Sequence, residues 1–182
     1  MDQLLLLWIV IGAVAVLVLI ALIVLFGSRA SMRRLGATVD ERWAALAAAL
    51  ERRSSVVEPL LGDASEKSRG ALAAAFAALE RADAPAAKAA AEAEVQRLLR
   101  PFVQAAGAQP VGSAAAEART ANAALDDEAQ ARRRDYNTSA RELNAKARRF
   151  PTSAWKGSVG APREFFEIDH STAVAEPPRI QF

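Results

Sequence analysis

The residues that could do chemistry in this 182-residue chain are few, and their types narrow the possibilities quickly. There is no cysteine and one histidine, His170. Those counts exclude Cys-His nucleophilic catalysis, a disulfide framework and any zinc site built from several His or Cys ligands. Asp126, Asp127 and Glu128 are adjacent carboxylates, with Glu117 roughly on the same side, but consecutive acids on a helix read as a solvated face. His170 sits beside Asp169 in a polar tail, where a solvent-facing imidazole is the expectation. The glycines of "GSVGAP" have neither a following Lys nor a preceding strand, so they make no phosphate loop. The sequence therefore offers no catalytic set, no metal ligands and no cofactor site, and a non-enzymatic role is the expectation.

One stretch departs from this plainness. "RRRDYNTSARELNAKARRFP", Arg132 to Pro151, holds the chain's one tyrosine, two asparagines seven residues apart and a Phe-Pro stop. At about 100° per residue Tyr136, Leu143 and Phe150 share one helical face, with Asn137 and Asn144 on its border. Glu128 with Arg132, and Glu142 with Lys146, are spaced as i,i+4 pairs. Two readings are open. Either the tyrosine and asparagines close the corner of a helical bundle, or they form a polar binding notch. The basic runs Arg132, Arg133, Arg134 and Arg148, Arg149 suit a solvated helix surface, with anionic head groups or an acidic partner as the alternative.

The elements that position these residues are helical. Leu4 to Phe26 runs without a charge. At 1.5 Å per residue it measures about 34 Å, enough for a hydrocarbon core of about 30 Å. It is too long for a signal-peptide core and lacks a basic start, so a permanent anchor is expected, with Trp8 as an interfacial aromatic. Arg29, Arg33 and Arg34 follow the span, and no Lys or Arg precedes it. The positive-inside rule then places Met1 to Gln3 outside and the bulk of the chain in the cytoplasm, single-pass in the cell membrane. Gly12, Ala13 and Ala15 would let spans pack, but no Gly-x-x-x-Gly is present, so a homo-oligomer is left open. The formal net charge of +2 with alternating signs does not point to nucleic acid.

Beyond the span, Val39, Trp43, Leu46, Leu50, Val57 and Leu60 follow helical spacing over about 29–61. Thr38 with Glu41 has the spacing of a capping box beside Gly36, so the membrane helix either continues through or pauses there. Asp63 or Ser65 caps a second helix over about 65–81, with Leu72, Phe76 and Leu79. Asp83 is the candidate cap and Pro85 the first turn of a third over about 86–104, which Pro101 should kink or end. A fourth runs from about Ser113 to Phe150, and Phe150-Pro151 ends it. Helices joined by short loops argue for an all-α antiparallel bundle. It extends over 29–151, between the anchor at 1–28 and an irregular tail at 152–182. Alanine buries little area, so Trp43, Phe76, Phe102 and Tyr136 are the core candidates. In the tail, Phe165 and Phe166 read as a strap across the bundle, with a recognition peptide as the alternative. For Phe182 neither reading is preferred.

Arg133, Arg134, Asp135, Tyr136, Asn137, Ala140, Asn144, Arg149, Phe150 and Pro151 resemble the signature of the LemA family of bacterial membrane-anchored helical proteins. "VDERWAALAAALERR" resembles that family's first-helix pattern at Val39, Glu41, Trp43, Leu50, Arg52 and Arg53. The tail, with its Phe165-Phe166-Glu167 element and Pro178-to-Phe182 close, resembles the family's ending. Two places depart from the pattern: Ser55 with "VVEPLL" replaces an acid and an Ile-Pro-Asn-Leu run, and Leu143-Asn144 replaces a second Tyr-Asn. The resemblance implies a tethered helical bundle and no established reaction. The function expected on this basis is a non-enzymatic scaffold or adaptor binding proteins or the membrane surface. The alternative is a regulatory subunit of a membrane enzyme such as a quality-control protease.

Overall fold

A computed structural model describes residues 2–62 and 64–168. Four α-helices follow one another: α1 (Asp2–Glu51), α2 (Glu66–Arg81), α3 (Pro85–Ala106) and α4 (Ala114–Ala147), with 3-10 segments at Arg52–Ser55, Glu58–Leu61 and Thr152–Val159. No strand occurs among the described residues, and the all-α expectation holds.

The helix starts follow capping chemistry. Ser65 Oγ accepts from the Ser68 N–H at 3.2 Å and opens α2, and Ser113 Oγ accepts from the Ala116 N–H at 3.2 Å and opens α4. Asp63 lies outside the described residues. Asp83 is not a cap: Ala84 holds that position without a side-chain bond, and Pro85 begins α3 with φ preset. Of the two alternatives at Gly36, the helix continues, and the box spacing of Thr38 and Glu41 is not used. The helix runs straight through Gly36, so the N–H groups there already have intrahelical partners, and Thr38 Oγ1 donates back to the Arg34 carbonyl at 3.1 Å. Pro101 does not end α3, which continues to Ala106.

The chain forms two compact units. One holds the described part of α1 up to Glu41 together with Thr138–Arg163. Its core is Met32, Val39, Ala140, Leu143, Ala147 and Val159. A Cβ on Gly36 would stand 3.1 Å from Val159 Cβ, so the glycine lets the 3-10 segment lie close against α1. Thr152 Oγ1 donates to the Arg149 carbonyl at 2.7 Å and also reaches the Lys146 carbonyl, satisfying the end of α4. Lys146 Nζ bonds to Ser31 Oγ rather than pairing with Glu142. Here α4 stops at Ala147, three residues short of expectation, and Phe150 is 87 % exposed instead of joining the stripe.

The other unit holds Arg42–Asn137 and the described residues from Glu164. Arg42 faces Asp135 at 3.9 Å and Arg52 faces Glu128 at 2.6 Å, so the end of α1 runs antiparallel to α4. α2 and α3 pack as a hairpin. Leu46, Leu50, Leu72, Leu79, Val95 and Leu99 fill the core. Of the large aromatics expected there, Tyr136 is buried, whereas Trp43, Phe76 and Phe102 are half-buried. Alanine-rich faces bring helix backbones close, so the leucines fill the interior and Trp43, Phe76 and Phe102 sit at its rim.

Candidate functional site

Two arrangements gather the residues that the sequence singled out. The first is a clamp on the segment after Gly160. In the unit containing Asn137, Tyr136 Oη donates to the Glu164 carbonyl at 2.7 Å. Asn137 Nδ2 donates to the Phe166 carbonyl, and Asn137 Oδ1 accepts the Phe166 N–H, both at 2.9 Å. A primary amide carries a donor and an acceptor side by side, so one asparagine pairs with an extended peptide as a neighbouring strand would. The Phe166 ring is 1 % exposed and lies 6.4 Å from the Trp43 ring, which lies 5.2 Å from Tyr136. Burying that phenyl ring contributes roughly 1.5–3 kcal/mol. Phe165 is half-buried.

In the unit containing Asn144 the device recurs. Asn144 Nδ2 donates to the Arg163 carbonyl at 2.8 Å, and Asn144 Oδ1 accepts the Arg163 N–H at 2.7 Å. Arg163 continues to Asp40 at 2.7 Å. The two asparagines lie seven residues, two helical turns, apart on α4. Tyr136 and Asn137 thus bond to the backbone of Glu164 and Phe166, and Asn144 to that of Arg163. Pro177, Pro178, His170 and Phe182 lie outside the described residues.

The second arrangement is a buried charge cluster. Arg53 is 2 % exposed and bridges Glu92 and Asp126 through its two terminal nitrogens. Gln96 Nε2 donates to Glu92 at 2.8 Å, and Asn122 Nδ2 to Asp126 at 3.1 Å. Burial pushes the Glu92 carboxyl above the ordinary carboxylate range, against the opposing pull of Arg53. Nearby, buried Lys88 donates to Glu51 at 3.0 Å and to the Leu79 and Ala82 carbonyls, capping the end of α2. A cavity of about 380 Å³ opens beside the cluster, lined by Arg53, Gln96, Arg100, Asn122, Asp126 and apolar Leu99 and Val103. Arg53 Nε and Asn122 Oδ1 have no protein partner.

Asp126 and Glu128 are thus not a plain solvated face. Asp126 pairs with Arg53, and Glu128 takes Arg52 at 2.6 Å as well as Arg132 at 3.6 Å. The Arg52 bond holds the Glu128 carboxyl below its ordinary range. Arg133 is half-buried, Arg134 exposed and Asp135 paired to Arg42. Pro151 is half-buried beside exposed Phe150. Sequence reasoning missed Lys88, Glu92 and Asn122. A usable signal was present for Glu92, an acid at helical spacing within the apolar series Ala89, Val95 and Leu99. Among the described residues no group of three His, Cys, Asp or Glu side chains is placed to hold a metal ion. The carboxylates near the cavity are committed to cations.

Compared with known families, the chain matches the model of the LemA family over residues 42–182. No curated protein matches.

Proposed function

Because this chain belongs to the LemA family over residues 42–182, we propose that it is a non-enzymatic scaffold tethered to the cell membrane, presenting its helical bundle and strapped tail to protein partners. One observation carries the reading. α1 is long and apolar enough to cross a bilayer, and none of its most apolar window is covered by the rest of the chain. Leu4 to Phe26 therefore needs apolar surroundings from outside, at roughly 25 cal/mol per Å² exposed. Arg29, Arg33 and Arg34 immediately after it support a cytoplasmic bulk with the N-terminus outside. The commitment of Glu92, Asp126 and Glu128 to arginines supports a structural rather than a catalytic use of the carboxylates.

The experiment is alkaline extraction of membranes carrying the full-length chain, followed by in-membrane crosslinking and mass spectrometry. The reading expects retention in the extracted membrane and several protein partners, copies of this chain among them. Release by alkali would defeat the tether. A single dominant membrane enzyme, whose activity changes when this chain is deleted, would replace the scaffold with a regulatory subunit.

A further inference from the structure

We propose that the end of α4 and the following 3-10 segment form a collar that docks on anionic phospholipid head groups of the bilayer holding α1; this rests on the membrane-tether reading above. Every residue involved belongs to one compact unit.

The axial level of the collar is fixed by three contacts. Trp155 Nε1 donates to Ser28 Oγ at 3.1 Å, and the Arg29 guanidinium stands 5.2 Å above the Trp155 ring. Farther along, Val159 lies against Gly36. Phe26, the last large apolar residue of the span, is 65 % exposed. At 1.5 Å per residue, Ser28 and Arg29 lie roughly 3–5 Å beyond Phe26. The polar layer on each side of a bilayer is about 5–8 Å thick. Trp155 therefore sits in the head-group layer, where an indole with an apolar body and a bonded N–H belongs.

Around this level the side chains are basic. Arg29, Arg33, Arg34, Arg148, Arg149 and Lys156 are all exposed, and among the described residues none of them takes part in an ion pair. Helical side chains lean toward the N-terminus, so Arg33 and Arg34 reach back toward the membrane. Phe150, 87 % exposed, stands next to Arg149. An exposed phenyl ring flanked by arginines fits a lipid interface, with the ring among the upper acyl carbons and the cations at phosphate. Over residues 27–41 and 138–163, nine Lys and Arg stand against three Asp and Glu, although the whole chain is only +2. The basic charge is thus concentrated in the unit that carries the span.

The chain has no cysteine, so a single introduced one is a clean reporter. Full-length Phe150→Cys, spin-labelled, is placed in nanodiscs of phosphatidylcholine alone or with phosphatidylglycerol. Its collision rates with oxygen and with a water-soluble nickel chelate are then measured. The label is expected to enter the head-group layer in the anionic discs and return toward water at high salt. Adding Arg148→Gln and Arg149→Gln is expected to reduce the docked population by roughly fivefold per arginine. Equal accessibility in both lipids, or indifference to the two glutamines, would overturn the collar. A label at Leu17→Cys tests the tether separately. If that label is open to the nickel chelate, the membrane reading fails and the collar with it.

Discussion

Asn137 holds both polar atoms of Phe166, taking its N–H and giving to its carbonyl at 2.9 Å each. A helix side chain here performs the pairing that a sheet edge ordinarily supplies. The phenyl ring of Phe166 is thereby fixed in the core by its backbone as well as by its apolar surface.

Loss of that grip should free the tail before it unfolds the helices. Asn137→Ala and Asn144→Ala each abandon two hydrogen bonds, of about 1 kcal/mol apiece. Trypsin cleavage after Arg163 should accelerate at least about fivefold in either variant, while the helical circular dichroism is retained. Unchanged cleavage would show that the amides do not hold the segment.

Phe166→Ala should be costlier, destabilising by about 3–5 kcal/mol as a buried ring is replaced by a cavity. Phe150→Ala, at an 87 % exposed ring, should leave the melting temperature unmoved. Thermal unfolding of both variants in detergent gives the comparison.

Arg53→Met should cost roughly 3–5 kcal/mol, because it strips the buried Glu92 carboxyl, at 0 % exposure, of its partner. Adding Glu92→Leu should recover most of that loss, since removing both charges also removes their desolvation. A double-mutant cycle in urea measures the coupling. Additive losses would mean that the two side chains do not interact.

The same group sets a pH dependence of unusual sign. Burial raises the Glu92 pKa in the folded chain, so the folded state retains a proton that the unfolded state has released. The associated stability is present in acid, below the unfolded value, and is lost as pH rises through the higher folded value. Relative to Glu92→Gln, the unsubstituted chain should therefore lose stability on going from acid to neutral pH. Urea midpoints of both chains across that range test it, and parallel curves would refute it.

Two glycines should respond oppositely to alanine. Gly70 lies inside α2, and a methyl group added there would meet nothing within 4 Å, so Gly70→Ala should stabilise by about 0.5–1 kcal/mol. Gly36→Ala meets Val159 at 3.1 Å and should destabilise. Melting temperatures of the two variants are sufficient.

The helices were legible because their signals are local. Ser65, Ser113 and Pro85 mark starts by chemistry confined to one turn, and Leu46, Leu50, Leu72 and Leu79 keep their period. Thr38 and Glu41 left two alternatives open because a capping box is only a spacing until a helix begins there. Asn137 and Asn144 stood out by their interval, but their target, an extended backbone, has no side-chain signature. The link from Arg53 to Glu92 spans 39 residues and was hidden because single charges within apolar stripes are read as interruptions.

The seat of Trp155 on Ser28 and of Val159 on Gly36 makes residues 28–36 a ruler. Adding one residue between those points would turn the second about 100° away and lift it 1.5 Å. Insertions and deletions among relatives should accordingly collect in the apolar stretch before Gly27, where no partner counts turns, and be purged from the interval between Ser28 and Gly36.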